Sequence, residues 1–160
     1  MNEAYLILGS NIGDRILIIA HALELISAKA GIINAASSFY ETEPWGTDNP
    51  LPFINKVIKI QTELKPVELL GTILEIENEF GRIRTEIRNE PRTIDIDILF
   101  YADSIVKLEH LEIPHARLHL RRFVLVPLAE IAADFVHPGL HMTIGKLLET
   151  CTDTSWVRSM

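Results

Sequence analysis

Two aspartates stand two positions apart in the stretch PRTIDIDILF, residues 91–100. A strand repeats every two residues, so Ile94, Ile96 and Ile98 share one face and Asp95 and Asp97 share the other. Isoleucine favours strands and aspartate avoids them, so the carboxylates need a reason. At this spacing their Cα atoms lie roughly 7 Å apart. Like charges that close repel, and burying them unpaired is costly. A divalent cation, or two, resolves the repulsion. Oxygen donors suit Mg²⁺, which typically takes one or two carboxylates together with substrate phosphates. The plainer reading is that the aspartates pair with nearby arginines and do no chemistry, and for an isolated pair it is the more frequent case.

The arginines shift that balance. Arg82, Arg84, Arg88 and Arg92 crowd one loop, and Arg117, Arg121 and Arg122 form a second cluster. Together they hold seven of the nine arginines, and neither cluster contains a lysine. The planar guanidinium fork suits bidentate contact with phosphate. A solvated loop balanced by Glu86 and Glu90 would account for one cluster. Two clusters beside paired carboxylates point to a polyphosphate with its metal. No GxxxxGK[ST] is present, so the site is not a P-loop. Trp45, Phe53 and Phe123 lie in or beside the same segments. A strand phenylalanine is usually core, because its burial is strongly favourable. One that opens a strand at a polar edge can instead stack on a flat heterocycle, with Thr42 and Asn55 reading the rim. His115, after Pro114, is either a phosphate donor or a structural histidine, and the second is the commoner case. The other histidines, His137 included, give no metal-ligand spacing. No Ser/His/Asp or Cys/His arrangement supports covalent catalysis.

The elements that must position these residues follow a clear order. Residues 4–8 read as a buried strand, and Asp14 can cap a helix over residues 15–30 with Gly31 as its stop. Residues 32–42 read as a strand, residues 43–52 as a Pro/Gly-rich loop and residues 53–60 as an alternating strand. Pro66 opens a second helix that Gly81 closes. A polar loop leads to the strand of the aspartates. The order is β-α-β-β-α-β, a ferredoxin-like split arrangement, with a mainly antiparallel sheet, helices packed on it and extra C-terminal elements that mix short strands and helical pieces. In that topology the end of strand one (9–11), the end of strand two (42–46), the start of strand three (53–55) and the start of strand four (92–97) share one sheet edge. Most of the chemically odd residues sit in those four segments.

Composition excludes several classes. The 160 residues suit a single domain, residues 1–160, and 48% of them are hydrophobic, so the chain is globular. A net charge of −7 argues against nucleic acid as partner. The single cysteine, Cys151, fits a reducing compartment. No apolar run is long enough for a membrane span, and the N-terminus does not read as a signal peptide. These features suggest a cytoplasmic protein with small-molecule partners and no fused partner domain.

The segments LGSNIGD, SSFYETEPWG, FIN, IENEFGRIR, PRTIDIDIL, IPHARLHLRRFVLVPLAEIA and HPGLHMTIGKLL, in this order, resemble the 6-hydroxymethyl-7,8-dihydropterin pyrophosphokinase family over nearly the full chain. The resemblance implies a ferredoxin-like α/β fold and transfer of pyrophosphate from Mg-ATP to the hydroxymethyl group of the pterin in folate biosynthesis, with release of AMP. It implies that Asp95 and Asp97 hold two Mg²⁺ ions, that Arg82 and Arg92 stabilise the transferring group, and that Arg84 and Arg88 belong to the same loop. By the same likeness Glu77, Ile98, His115 and Arg121 lie around the nucleotide. Phe53 and Phe123 sandwich the pterin, and Thr42, Trp45 and Asn55 line its pocket. Two departures stand out: Asn89 and Glu90 replace a frequent Trp-Gly, and Ala116 replaces a frequent aromatic. Two other readings remain open on the residues alone: a related Mg-dependent transferase with another heterocyclic acceptor, and a non-catalytic nucleotide-binding module on the same scaffold.

Overall fold

A computed structural model describes residues 1–44, 51–81 and 93–160. The first strand, β1 (Asn2–Ser10), leads through Asp14 into helix α1 (Arg15–Lys29). The Asp14 carboxylate accepts the Leu17 N–H at 3.2 Å, the N-cap expected from sequence. Gly31 does not end α1 through a left-handed turn. It is needed because a Cβ there would stand 2.2 Å from the Gln61 carbonyl oxygen, so helix exit and sheet touch at this point.

The single strand expected over residues 32–42 is two, β2 (Ile32–Ala36) and β3 (Tyr40–Thr42). Ser37 explains the break. Its hydroxyl accepts the Val57 N–H at 2.9 Å and donates to the Ser38 carbonyl at 2.8 Å, so side-chain bonds replace ladder bonds there. Strand β4 (Phe53–Thr62) follows, then α2 (Pro66–Glu79), which Pro66 opens and Gly81, at φ +76°, ends. Strand β5 (Asp95–Tyr101) carries the aspartates. The last third holds the hairpin β6 (Val106–Leu108) and β7 (Leu111–Ile113), helices α3 (Arg122–Ala132) and α4 (Ile144–Thr150), and a short strand, β8 (Val157–Ser159), not anticipated from the sequence. Among the described residues no helix is long and apolar enough to cross a membrane.

The main sheet runs β5-β1-β4-β3-β8, with β2 also on β4, and every pairing is antiparallel. This is the ferredoxin-like order. Both faces are covered, but not equally. On one face Leu6, Leu8, Ile58, Ile94, Ile96 and Ile98 pack with α1 and α2 through Ile19, Ile26, Leu69 and Ile73. On the other, Tyr5, Ile7, Val57, Leu99 and Phe100 pack with α3 and α4 through Val124, Leu125, Leu128 and Ile144. The second face of β5 is therefore carboxylate at its start and core at its end. A register shift lets this happen: Leu6 pairs with Ile98 and Tyr5 with Phe100, which leaves Leu99 as an extra residue. The bulge lets Leu99 and Phe100 both enter the second core. The described parts of the four segments expected along one sheet edge do converge there: Gly9 pairs with both Asn55 and Asp95, and Thr42 pairs with Phe53.

Candidate active site

The site is built in rows across three strands. In the first row Asp95 of β5 and Asn55 of β4 both pair with Gly9 of β1. In the next, Asp97 and Val57 both pair with Ile7. Residues paired across a sheet point the same way, so Asn55, Gly9, Asp95 and Asp97 share one face. Gly9 makes room for the Asn55 amide: a Cβ there would lie 2.6 Å from Asn55 Oδ1 and 3.6 Å from Phe53 Cδ1. Gly9 lies in the LGSNIGD segment and is not among the site residues read from the sequence. A strand-end glycine beside two polar positions is the pattern that would have found it.

One side of the site is the start of β4. Thr42 pairs with Phe53, and Asn55 Nδ2 donates to Thr42 Oγ1 at 2.6 Å. Both polar side chains are buried, while Phe53 is half-buried. A satisfied, rigid amide–hydroxyl pair beside an incompletely covered ring is suited to hold a flat polar heterocycle.

The other side combines β5, the segment after the hairpin and the start of α3. His115 donates its backbone N–H to the Leu99 carbonyl at 3.0 Å, so the bulge on β5 places this residue. Its Nδ1 accepts the Arg117 N–H at 3.3 Å. Burial, with the Arg121 guanidinium second, pushes the His115 imidazole below its usual range; Asp95 and Glu112 oppose the shift. Arg121 immediately precedes α3. Burial and then Arg117 lower its pKa, while Asp97 and Asp95 act the other way, so the cation lies within the field of both carboxylates. Its guanidinium also lies 5.8 Å from the centre of the Phe123 ring. The first turn of α3 is fixed by Asp153, which accepts the Arg122 N–H at 2.8 Å and is itself held by the Ser155 N–H and hydroxyl. Nothing in the sequence marked Asp153, which lies far along the chain from α3.

Glu77 and Ile98 lie elsewhere. Ile98 belongs to the core beneath α1 and α2. Glu77 is 1% exposed, and its Oε2 accepts the Ile96 N–H at 2.9 Å. Strand β5 ends the sheet, so its outer N–H groups need partners, and Glu77 supplies one. Trp45, Arg82, Arg84, Arg88 and Arg92 lie outside the described residues.

The donor set bears on a metal. Among the described residues no group of three or more His, Cys, Asp or Glu side chains could enclose an ion. Two carboxylates on one strand face, Asp95 and Asp97, are what the described residues of β5 offer. That matches Mg²⁺, which completes its shell with water and phosphate oxygens.

Fold and site together define a ferredoxin-like α/β protein with a carboxylate-bearing floor, a cationic wall and an aromatic rim. The model of the family described as 7,8-dihydro-6-hydroxymethylpterin-pyrophosphokinase (HPPK) matches residues 5–133, and the chain belongs to that family. A 2-amino-4-hydroxy-6-hydroxymethyldihydropteridine pyrophosphokinase of Methylorubrum extorquens is 49% identical over 140 residues, covering 87% of this chain and 88% of the relative. The folic acid synthesis protein FOL1 of Dictyostelium discoideum is 42% identical over 146 residues, 91% of this chain but 22% of that much longer protein. In fold, the chain is similar to a Plasmodium falciparum HPPK-DHPS structure, with a TM-score of 0.77 at 21% identity, over 92% of this chain and 45% of that one.

Proposed function

We propose that this protein transfers the terminal pyrophosphoryl group of ATP to the hydroxymethyl oxygen of 6-hydroxymethyl-7,8-dihydropterin, in folate biosynthesis. The pterin oxygen forms a bond to the β-phosphorus, the bond from that phosphorus to the α-phosphate oxygen breaks, and AMP leaves. The observation that carries the reading is the row of Asn55, Gly9 and Asp95, in which a glycine that makes room for the Asn55 amide stands between that amide and the first carboxylate.

On this reading Asp95 and Asp97 hold two Mg²⁺ ions with the triphosphate. Mg²⁺ supplies charge neutralisation at the phosphate oxygens. His115 and Arg121 lie around the nucleotide, and Glu77 and Ile98, from the other side of β5, complete its surroundings. Arg82 and Arg92 stabilise the transferring group, with Arg84 and Arg88 alongside. Phe53 and Phe123 cover the two faces of the pterin, while Thr42, Asn55 and Trp45 read its edge. Most of the acceleration comes from alignment and from preorganised charge. The reaction is cytoplasmic, its partners are small molecules, and residues 1–160 act as one domain; a net charge of −7 supports the absence of a nucleic-acid partner.

The test is the product. With Mg-ATP and the pterin, AMP should appear one-for-one with pterin pyrophosphate. If ADP is the main nucleotide product with pterin present, the proposed reaction is wrong. Equal turnover with unrelated hydroxylated heterocycles would replace the acceptor.

A further inference from the structure

A polar cluster beside the acceptor pocket has no part in the roles assigned above. The Glu130 carboxylate on α3 accepts the Ser38 N–H at 2.8 Å, the Ser38 hydroxyl at 3.2 Å and a short bond from the Tyr40 hydroxyl. Tyr40 pairs with Asn55 and lies two residues before Thr42 on the same face of β3. Glu130 is seven residues after Phe123, two helical turns on, and so lies on the same stripe of α3, about 10 Å along the axis.

The connection continues into the sheet. Ser38 follows Ser37, whose backbone N–H donates to the Val57 carbonyl at 2.8 Å and whose hydroxyl accepts the Val57 N–H at 2.9 Å. Val57 is two residues after Asn55 and four after Phe53. A continuous chain of directional bonds therefore runs from the stripe of α3 that carries Phe123 to the strand that carries Phe53 and Asn55. Apolar contacts between α3 and β4 supply adhesion but tolerate sliding and rotation. The carboxylate bonds do not, because three donors converge on one group.

We propose that the Tyr40–Glu130–Ser38 cluster is a positioning strap that fixes the rotation and axial setting of α3 against β3 and β4, and so sets the gap between Phe123 and Phe53 that admits the pterin. None of the three residues is among those assigned to the phosphates above, so the strap governs acceptor affinity and not the chemistry. It rests on the pterin assignment of Phe53 and Phe123. The state of the groups agrees with it: burial, then the Glu130 bond, pushes the Tyr40 phenol up to about 12, so the donor stays protonated. Burial raises the Glu130 carboxyl, but the Tyr40 and Ser38 bonds and then Lys56 outweigh it, so the acceptor stays ionised.

The test uses the full chain and three variants, Tyr40→Phe, Glu130→Ala and Glu130→Gln. Calorimetric titrations with hydroxymethyl-dihydropterin and, separately, with a non-hydrolysable ATP analogue and Mg²⁺ are run beside melting curves and steady-state kinetics. Tyr40→Phe and Glu130→Ala should weaken pterin binding roughly tenfold or more, as a displaced binding wall does, and raise the pterin KM in step. ATP-analogue affinity should stay within twofold, as should kcat at saturating pterin. Glu130→Gln keeps a carbonyl acceptor and should recover most of the affinity. Normal pterin affinity in Tyr40→Phe, equal losses for both ligands, or a lowered Tm with unchanged pterin affinity would each overturn the strap. Folded wild-type protein that forms no AMP from Mg-ATP and the pterin would instead overturn the functional reading, a result visible before any variant is made.

Discussion

Asp95 and Asp97 are available to chemistry because of what lies opposite and beyond them. The alternate face of the strand is occupied by Ile94, Ile96 and Ile98, buried under two helices, so the carboxylates cannot turn inward. Further along, the same face passes into the core at Leu99 and Phe100, so the open stretch is confined to the start of the strand. Phe123 has a mixed environment. It is half-buried against the second core and near the Arg121 guanidinium. If it stacks on the pterin, Phe123→Ala should weaken pterin binding much more than ATP binding, with the fold retained. If it serves only the core, the variant should lose on the order of 3–5 kcal/mol of stability without selective loss of pterin affinity. Paired titrations and a denaturant midpoint distinguish the two outcomes.

At the scale of elements, period-two alternation and capping residues were legible in the sequence. Asp14, Pro66 and Gly81 act at helix ends as their chemistry requires. Gly31 was read as a helix stop on local grounds, but its cause is a backbone on another strand, which no local pattern contains. The break at Ser37 has the same origin: a serine in a run of small residues reads as strand until Val57 is seen to claim its hydroxyl. Strand β8 was not legible, since three ordinary residues become a strand only because β3 offers an open edge. The site behaves likewise. Residue types and the β-α-β-β-α-β order bring Thr42, Phe53, Asn55, Asp95 and Asp97 to one edge. The contributions of Asp153 and Glu130 depend on contacts between distant segments and have no signature of their own.

The whole molecule has two cores on one sheet, and the second depends on groups that titrate. His137 is 6% exposed and packs edge-on against Phe100 at 5.5 Å between ring centres. Its Nδ1 accepts the Gly139 and Leu140 N–H groups, both at 3.0 Å. Protonation would abolish that acceptor. Burial, followed by His119, lowers the His137 pKa below 6.5. The unfolded chain then binds this proton more readily than the folded one. Its contribution to stability is complete above pH 6.5 and is lost as pH falls through the depressed folded value, and His115 adds a change of the same sign. His137→Asn retains an oxygen able to accept from the turn but does not titrate. Denaturant midpoints measured from pH 8 to pH 5 should fall more steeply for the wild type than for this variant. Parallel slopes would show that His137 is not a source of the acid sensitivity.

The claim on which the account turns is that the aspartate face of β5 is the floor for a metal-bound triphosphate. Single-turnover rates of Asp95→Asn and Asp97→Asn, measured across a Mg²⁺ titration with ATP and pterin saturating, test it most directly. Asparagine keeps the size and hydrogen bonding of aspartate and removes the charge. We expect both variants to fall on the order of 10²-fold or more in rate, the scale of losing one transition-state stabilising group, with the Mg²⁺ dependence displaced to higher concentration. Near-normal rates for both at low Mg²⁺, with folding intact, would contradict the account and return the two carboxylates to partners of neighbouring arginines.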